Sequence, residues 1–293
     1  QFEVRTDRVH FDTTTVTFHG KYEGFVSDPK ITHGHNKYHR PDLKQLLFGL
    51  SVAGDGAVPL HHQVHSGNRT DDSVHQGNLE DLRRILGRDD FTYVADSKLC
   101  TADNLKHLTG YGGTFVTLMP RTWNEDKRFR QTLRDGKVRW KEILRIPNRR
   151  RKDDPPDIFS TCKGLDRTDN GYRLIWVRSS QKAEEDRLYR EGRLRRAEAE
   201  LGDLELKLNR RRMRAVRAIK GAVREILQRL GVERFLGVKL KERAQLIPHR
   251  LRRGRPAATD PVRMEKRKTW TLRIRRDAKE LTREKRTDGV FPL

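Results

Sequence analysis

Several things are scarce in this sequence, and each scarcity excludes something. No apolar run approaches the roughly 20 residues that span a bilayer, so no membrane partner is expected. Cysteine occurs twice, at Cys100 and Cys162. Two thiols make neither a disulfide framework nor a cysteine-rich zinc site, which points to a reducing, cytosolic setting. Hydrophobic residues make up 34% of the chain, below the usual share of about 45–50%. The chain opens with Gln1 and shows no leader-like segment, so the true N-terminus is expected to lie upstream.

Charge is plentiful. The 293 residues carry 64 Lys+Arg against 41 Asp+Glu, a formal net charge of +23. The excess is not spread evenly. Residues 1–120 hold 13 basic and 15 acidic side chains, a net of −2. The other 51 basic and 26 acidic residues follow Pro120 and give that part +25. Histidine is skewed the other way, with ten of 11 before residue 121 and only His249 after it. A near-neutral domain followed by a strongly basic one suggests a polyanionic partner, and nucleic acid is the first candidate.

Periodicity supports the same division. Val9 to Phe18 alternates and reads as a strand. Leu46 to Val52 and Ala57 to Val64 flank Gly54-Asp55-Gly56 and read as a hairpin. Thr70 or Asp71 is placed to cap a helix reaching about Leu86. Phe91 to Ala95 reads as a strand, Thr101 to Leu108 as a helix, and Gly113 to Met119 as a strand. Three opening strands followed by alternating helices and strands predict a mixed α/β sheet, antiparallel at its start and parallel at its end.

The basic part reads differently. Residues 147–157 and 248–262 look like exposed linkers. Residues from about 181 to 230 contain almost no helix breaker. Leu194, Leu201 and Leu208 recur every seven residues, and Val216 to Leu230 carries a second apolar stripe. One long helix or a helical hairpin fits. The heptad suits a homodimer seam or, more readily, packing inside one chain. Tyr172 to Arg178 and Trp270 to Ile274 read as strands, and Gly289 to Leu293 as the start of another.

For chemistry, Asp12 on the first strand and Asp96 just after the fourth stand out. Aspartates at strand ends most often cap the backbone. The alternative is that two carboxylates converge at one sheet edge as a hard oxygen site for Mg²⁺ or Mn²⁺. The pairs His35/His39 and His61/His62/His65 have spacings that can bind zinc, but they fall in a loop and on a strand, with no cysteine near. Gly110-Tyr111-Gly112-Gly113 lacks the Gly-Lys-(Ser/Thr) of a phosphate loop. Glu184, Glu185 and Glu191 read as solvated helix charges. Arg253-Gly254-Arg255-Pro256 has the look of an AT-hook core, whose arginines, Arg253 and Arg255, would enter a narrow minor groove. A Gly-Pro turn in a basic linker explains it more simply.

Five blocks in order carry a resemblance. They are Phe11-Asp12-Thr13-Thr14, Gly34 to Gln45 (GHNKYHRPDLKQ), Asp55-Gly56 with Pro59, Gly67-Asn68-Arg69-Thr70-Asp71, and Val94-Ala95-Asp96-Ser97. Together they resemble the DDE transposases of bacterial insertion sequences, closest to the "IS four" superfamily. The resemblance covers most of residues 8–120. It implies an RNase H-like core in which two aspartates and a glutamate hold two divalent ions, Mg²⁺ or Mn²⁺. The implied activity is cleavage and strand transfer on double-stranded DNA, at the element's terminal repeats and its target. By residue, Asp12 matches the first aspartate and Asp96 the second. Lys37 and Arg40, in the second block, are expected to contact phosphate. Asn36 and Tyr38 depart from the family signature.

The family's glutamate motif, Tyr-x-x-Arg-x-x-x-Glu, is not found, so the third acidic ligand is unknown. Thr287 to Leu293 resembles the strand that precedes it. The resemblance therefore implies that the chain stops short of the third acid and starts without an N-terminal DNA-binding domain. On this reading residues 1–120 are a partial catalytic core and residues 121–293 a basic insertion that grips DNA. The expected setting is the bacterial cytoplasm, on the nucleoid. A truncated, non-catalytic DNA-binding regulator and a metal-dependent nuclease of the same fold stay open beside the transposase.

Overall fold

The computed structural model describes residues 3–22, 28–37, 39–147, 155–210, 212–250 and 262–293, with backbone only at 247, 249 and 250. The chain divides into two compact units. The first comprises Gln1–Arg128, Leu165–Trp176 and Phe291–Leu293; the second comprises Phe129–Gly164 and Val177–Val290.

The first unit is built on a five-stranded mixed sheet. Its strands are β1 (Arg8–Phe18), β2 (Lys44–Ala53), β3 (Pro59–Ser66), β4 (Thr92–Ala95) and β5 (Thr114–Val116). Their order is β3-β2-β1-β4-β5. The β1–β2 and β2–β3 pairs are antiparallel, and β1–β4 and β4–β5 are parallel. This is the antiparallel start and parallel finish expected from the sequence. Helices α1 (His75–Leu86) and α2 (Ala102–Gly110) link the parallel strands.

Local chemistry explains these elements. In β1 Val9, Phe11, Thr13 and Thr15 are buried while the residues between them are exposed, the period of a strand with one face in the core. The β2–β3 turn runs through Gly56 and Ala57, both at positive φ (68° and 52°). Glycine meets that geometry at no steric cost. Thr101 caps α2 by accepting the Asn104 N–H, as expected. The helix before it begins differently. Asp71–Val74 forms a 3-10 turn, α1 starts only at His75, and the Thr70 side chain makes no cap hydrogen bond. Asp71 instead accepts from the Thr13 hydroxyl at 3.0 Å.

Most of the elements that follow belong to the second unit. Helix α3 (Asn124–Arg134), which crosses its boundary, buries Phe129 and Leu133 at i, i+4. Strands β6 (Trp140–Ile146), β7 (Asp157–Cys162) and β8 (Trp176–Ser179) come next. Then come helices α4 (Ser180–Lys207) and α5 (Val216–Leu230), long strands β9 (Leu236–Arg250) and β10 (Val262–Arg276), helix α6 (Ala278–Lys285) and strand β11 (Val290–Pro292). Trp176 of β8 and Phe291 and Pro292 of β11 are counted with the first unit. One sheet has the order β11-β8-β7-β6, and β9 pairs with β10 alone.

Of the two readings of residues 181–230, the hairpin is the one found. Helix α4 ends at Lys207 with Leu208 as its C-cap, and Asn209 takes a left-handed φ of 65°. The Asn209 side chain then donates to the Trp270 carbonyl (3.0 Å) and accepts its N–H (2.7 Å). Leu194, Leu201 and Leu208 are all buried. They lie in two clusters with residues of α5, β9 and β10, among them Ile219, Leu236 and Leu272, and with Phe235 of the connection between α5 and β9. The heptad is thus consumed inside the chain. Of the span read as a linker at 248–262, residues 248–250 belong to β9 and Val262 to β10, while 251–261 lie outside the described residues. Among the described residues no helix is long and apolar enough to cross a membrane.

Leu201→Ala is expected to cost about 3 kcal/mol through the cavity it leaves. Urea unfolding should show this loss, while light scattering should give the wild-type native mass. A change of mass would mean that the heptad holds copies together.

Candidate functional site

The site begins with register. Strands β1 and β4 are parallel, with Phe11 opposite Ala95. One step further along each chain stand Asp12 and Asp96, both exposed. Neighbouring strands lie about 4.8 Å apart, so the two backbones present their aspartates side by side. Phe11 faces α1, where its ring meets His75 at 5.3 Å. By alternation Asp12 belongs to the opposite face of the sheet.

Each carboxylate is oriented by one backbone donor. Asp12 Oδ1 accepts the Thr13 N–H at 2.7 Å, and Asp96 Oδ1 accepts the Lys98 N–H at 2.9 Å. The Asp96 carbonyl accepts the Thr117 hydroxyl at 2.6 Å, which fixes the loop after β4. The second oxygen of each side chain has no described partner.

Beside this pair sits a polar knot not foreseen from spacing. The Lys37 ammonium donates to the Thr13 carbonyl (2.7 Å) and hydroxyl (3.2 Å), and lies 3.4 Å from Asp71. Thr13 completes the triangle through its hydroxyl to Asp71. Lys37 therefore clamps its loop to the strand residue next to Asp12. Arg40 behaves differently. Its guanidinium forms a fork on Asp42 (2.8 and 2.7 Å), and this pairing holds the Asp42 carboxyl down at about 2. Arg253 and Arg255 lie outside the described residues, as does Tyr38.

Two of the sequence blocks interlock through glycine. A Cβ on Gly34 would overlap the Gly67 carbonyl oxygen. A Cβ on Gly67 would overlap that of Gln45 and lie 2.5 Å from that of Thr32. Buried Gln45 ties the blocks together by donating to the Gly67 carbonyl at 2.8 Å and to the His35 carbonyl at 3.3 Å. The Gly34 block and the Gly67 block are thus one structural unit that carries Lys37 and Asp71 to β1.

Behind the sheet lies a buried chain of polar groups. Ser51 donates to Asn78 (3.0 Å), Asn78 to the Tyr93 hydroxyl (2.9 Å), and His75 Nδ1 meets that hydroxyl at 3.3 Å. Burial pushes His75 down to about 4, against a weaker upward pull from Asp96, Asp71 and Asp72. It also pushes the Tyr93 hydroxyl upward. Both side chains are neutral at neutral pH. The Cys100 thiol is likewise pushed up by burial, to about 11, which leaves it a core residue rather than a nucleophile.

Other candidates resolve into ordinary contacts. His61 meets Asp81 at 3.2 Å, His65 meets Gln63 at 3.2 Å, and His62 stacks on Phe48. Glu184 pairs with Arg187, and Glu191 with Arg195 and Arg276. Among the described residues no group of three or more His, Cys, Asp or Glu is arranged to hold a metal ion. In comparisons with known proteins, no family model, no curated protein and no solved structure matches the chain.

Two predictions test this geometry. Gly67→Ala is expected to destabilise by about 3 kcal/mol through overpacking. Gly77→Ala, on the open surface of α1, should stabilise by up to about 1 kcal/mol; equal effects in urea unfolding would refute the interlock. The second concerns pH. The unfolded chain protonates His75 from about its ordinary 6.5, the folded chain only near 4. The unfolded state therefore binds more protons between those values. Stability from this group is complete above pH 6.5 and is lost as pH falls toward 4, by up to about 3 kcal/mol. His75→Gln should flatten the stability slope in that window, and an unchanged slope would exclude His75 as its source.

Proposed function

We propose that this chain is a DNA-processing enzyme of the DDE transposase type, built on an RNase H-like core, which transfers phosphoryl groups at DNA ends. The observation that carries this reading is the parallel register of β1 and β4, in which Phe11 lies opposite Ala95 and Asp12 and Asp96 each follow by one residue. The strand order β3-β2-β1-β4-β5 with helices after β3 and β4 supports it. So does the convergence of the Gly34 and Gly67 blocks on β1.

The donor set suits a hard cation. Mg²⁺ commonly binds through one or two carboxylates, with water and substrate phosphate completing its shell. Asp12 and Asp96 would supply those two carboxylates. Such an ion, when bound, activates water or a hydroxyl and neutralises charge on the phosphoryl group. The chain's own residues prepare the place. The Thr13 and Lys98 N–H groups aim one oxygen of each aspartate. Lys37, held on Thr13 and Asp71, keeps a fixed positive charge near the carboxylates, where it moderates their repulsion of a phosphate backbone. No protein nucleophile is required, since water or a DNA hydroxyl attacks in line.

A second reading is a DNA-binding protein that does not cut. It is favoured by one observation: among the described residues no group of three or more His, Cys, Asp or Glu is arranged to hold a metal ion. Both readings share a basic DNA-binding unit and differ at Asp12 and Asp96.

Titration calorimetry with Mn²⁺ tests the site. The wild-type chain is expected to take up Mn²⁺, and Asp12→Asn with Asp96→Asn to abolish that uptake while unfolding at the wild-type urea midpoint or above. Mn²⁺ uptake unchanged in the double variant would sink the enzyme reading. Nicking of supercoiled plasmid in Mg²⁺, lost in Asp12→Ala, would exclude the non-catalytic one.

A further inference from the structure

Strands β9 and β10 form an isolated two-stranded ribbon, each strand 15 residues long. At about 3.4 Å per residue its length is roughly 50 Å. One face of its lower half carries Val238, Leu240, Leu272 and Ile274 and packs on the α4–α5 hairpin. Arg276 pins the base by reaching Glu191 and Glu198 of α4. Further out, the described side chains of 241–246 and 262–268 are all exposed.

The register sorts the charges onto one face. In β9, Lys239, Lys241 and Arg243 alternate outward from the packed face. In β10, Arg263, Arg267, Arg273 and Arg275 share that side. All seven are exposed. Glu265 is the one acid on this face among its described residues. No described ion pair uses any of the seven. On the opposite face Lys268 is paired with Glu242 at 2.9 Å, and at the base Arg276 is doubly paired. Lys239 lies directly across from Arg273, and like charges in that position destabilise a sheet. A groove of about 810 Å³ at the foot of the face is walled by Lys239, Lys241, Arg273 and Arg275, with Lys279 at its rim. Glu233 and Asp277 also line it.

We propose that this face of the β9–β10 ribbon is the surface that grips duplex DNA. The proposal deepens the functional reading above and rests on it. Same-face residues on a strand recur about every 6.8 Å, twice the 3.4 Å charge spacing along each strand of the duplex. The major groove, about 12 Å wide, admits a two-stranded ribbon. The deep, narrow major groove of duplex RNA does not. Among the side chains described on this face there is no aromatic ring to stack unpaired bases and no aliphatic chain to enter a lipid interface; Ile247 and His249 share the face by register.

The test is fluorescence anisotropy of the full chain with a 30-base-pair DNA duplex across a salt series. Lys239→Ala, Lys241→Ala, Arg273→Ala and Arg275→Ala together should weaken binding at least about tenfold at 0.1 M salt. The salt slope should fall by about 3–4, near 0.9 per lost phosphate contact. A control removes four exposed cations elsewhere, Lys207, Arg217, Lys220 and Arg224, and should change the slope by less than one. Equal loss in ribbon variant and control overturns the proposal, because net charge alone would then explain binding. So does equal or tighter binding of single-stranded DNA, duplex RNA or vesicles of anionic lipid. Should the quadruple variant fail to fold, Lys241→Gln with Arg273→Gln carries the same comparison at half the slope change. The two readings fail separately. DNA binding indifferent to the ribbon leaves the Asp12–Asp96 site standing. Ribbon-dependent binding with Mn²⁺ uptake indifferent to the aspartates removes the enzyme and keeps the ribbon.

Discussion

Strand β1 is paired antiparallel on one side and parallel on the other, and the first unit depends on that switch. The antiparallel partner, β2, is reached from β1 by the loop that carries Lys37. The parallel partner, β4, requires a crossover, and α1 supplies it. Because parallel strands share a direction, their like ends meet at one edge, where loops are free to carry function. The short β4 ends opposite Phe11, in the middle of β1, so Asp96 leaves its strand at the level where Asp12 follows in β1. An antiparallel β1–β4 pair would have put residue 96 at the other end of the sheet from its present neighbour.

Arginine serves two purposes in the second unit, and partners separate them. Arg190 forms a two-pronged pair with Asp288 at 2.7 Å, with both side chains nearly buried (12% and 8% exposed). Arg134 pairs with Glu284, and Arg234 with Glu280 and Glu284. These charges are neutralised locally, and they fix α6 and the base of the ribbon. Removing one member of such a pair strands its partner, which is costly when the partner is buried. The cations of the ribbon's outer face have no such neighbours. They contribute self-repulsion to the free protein, a cost that a polyanion relieves by neutralising it.

The first unit's fold was largely legible in the sequence, because its strands bury one face and advertise a period of two. Val9, Phe11, Thr13 and Thr15 in β1 are an example. Beyond residue 120 the sequence marked the helical hairpin and parts of β8, β10 and β11. Leu194, Leu201 and Leu208 pointed to α4, but α3 and α6 were missed. Helix α3 buries only Phe129 and Leu133 among its apolar residues, and α6 buries no residue fully. The outer ribbon went unread, and its ends at 248–250 and 262 fell within the span read as a linker, because its described side chains are exposed and no hydrophobic alternation marks it. At the candidate site Asp12 and Asp96 could be named from the sequence. Asp71 and Thr13 could not be given roles, since their contact joins residues 58 positions apart and depends on a glycine interlock that side-chain patterns do not reveal. Lys37 was named for phosphate; the contacts of its ammonium with Thr13 and Asp71 were not foreseen.

On the proposed function, the division of charge follows from what each unit would be asked to do. A site meant to hold a divalent cation needs uncompensated carboxylates, and those same carboxylates repel a phosphate backbone. Within the first unit Lys37 offsets part of that repulsion, but residues 1–120 remain net negative. Affinity for DNA must therefore come from elsewhere in the chain, and the basic residues after Pro120 are the available source. Concentrating cations on a ribbon rather than around the carboxylates keeps them from competing with the metal for the same oxygens. Mixing the two sets in one pocket would form ion pairs, as between Arg40 and Asp42, and would silence both. On the proposed function, separating acid from base is what lets one chain bind a polyanion and still keep its carboxylates free for a metal.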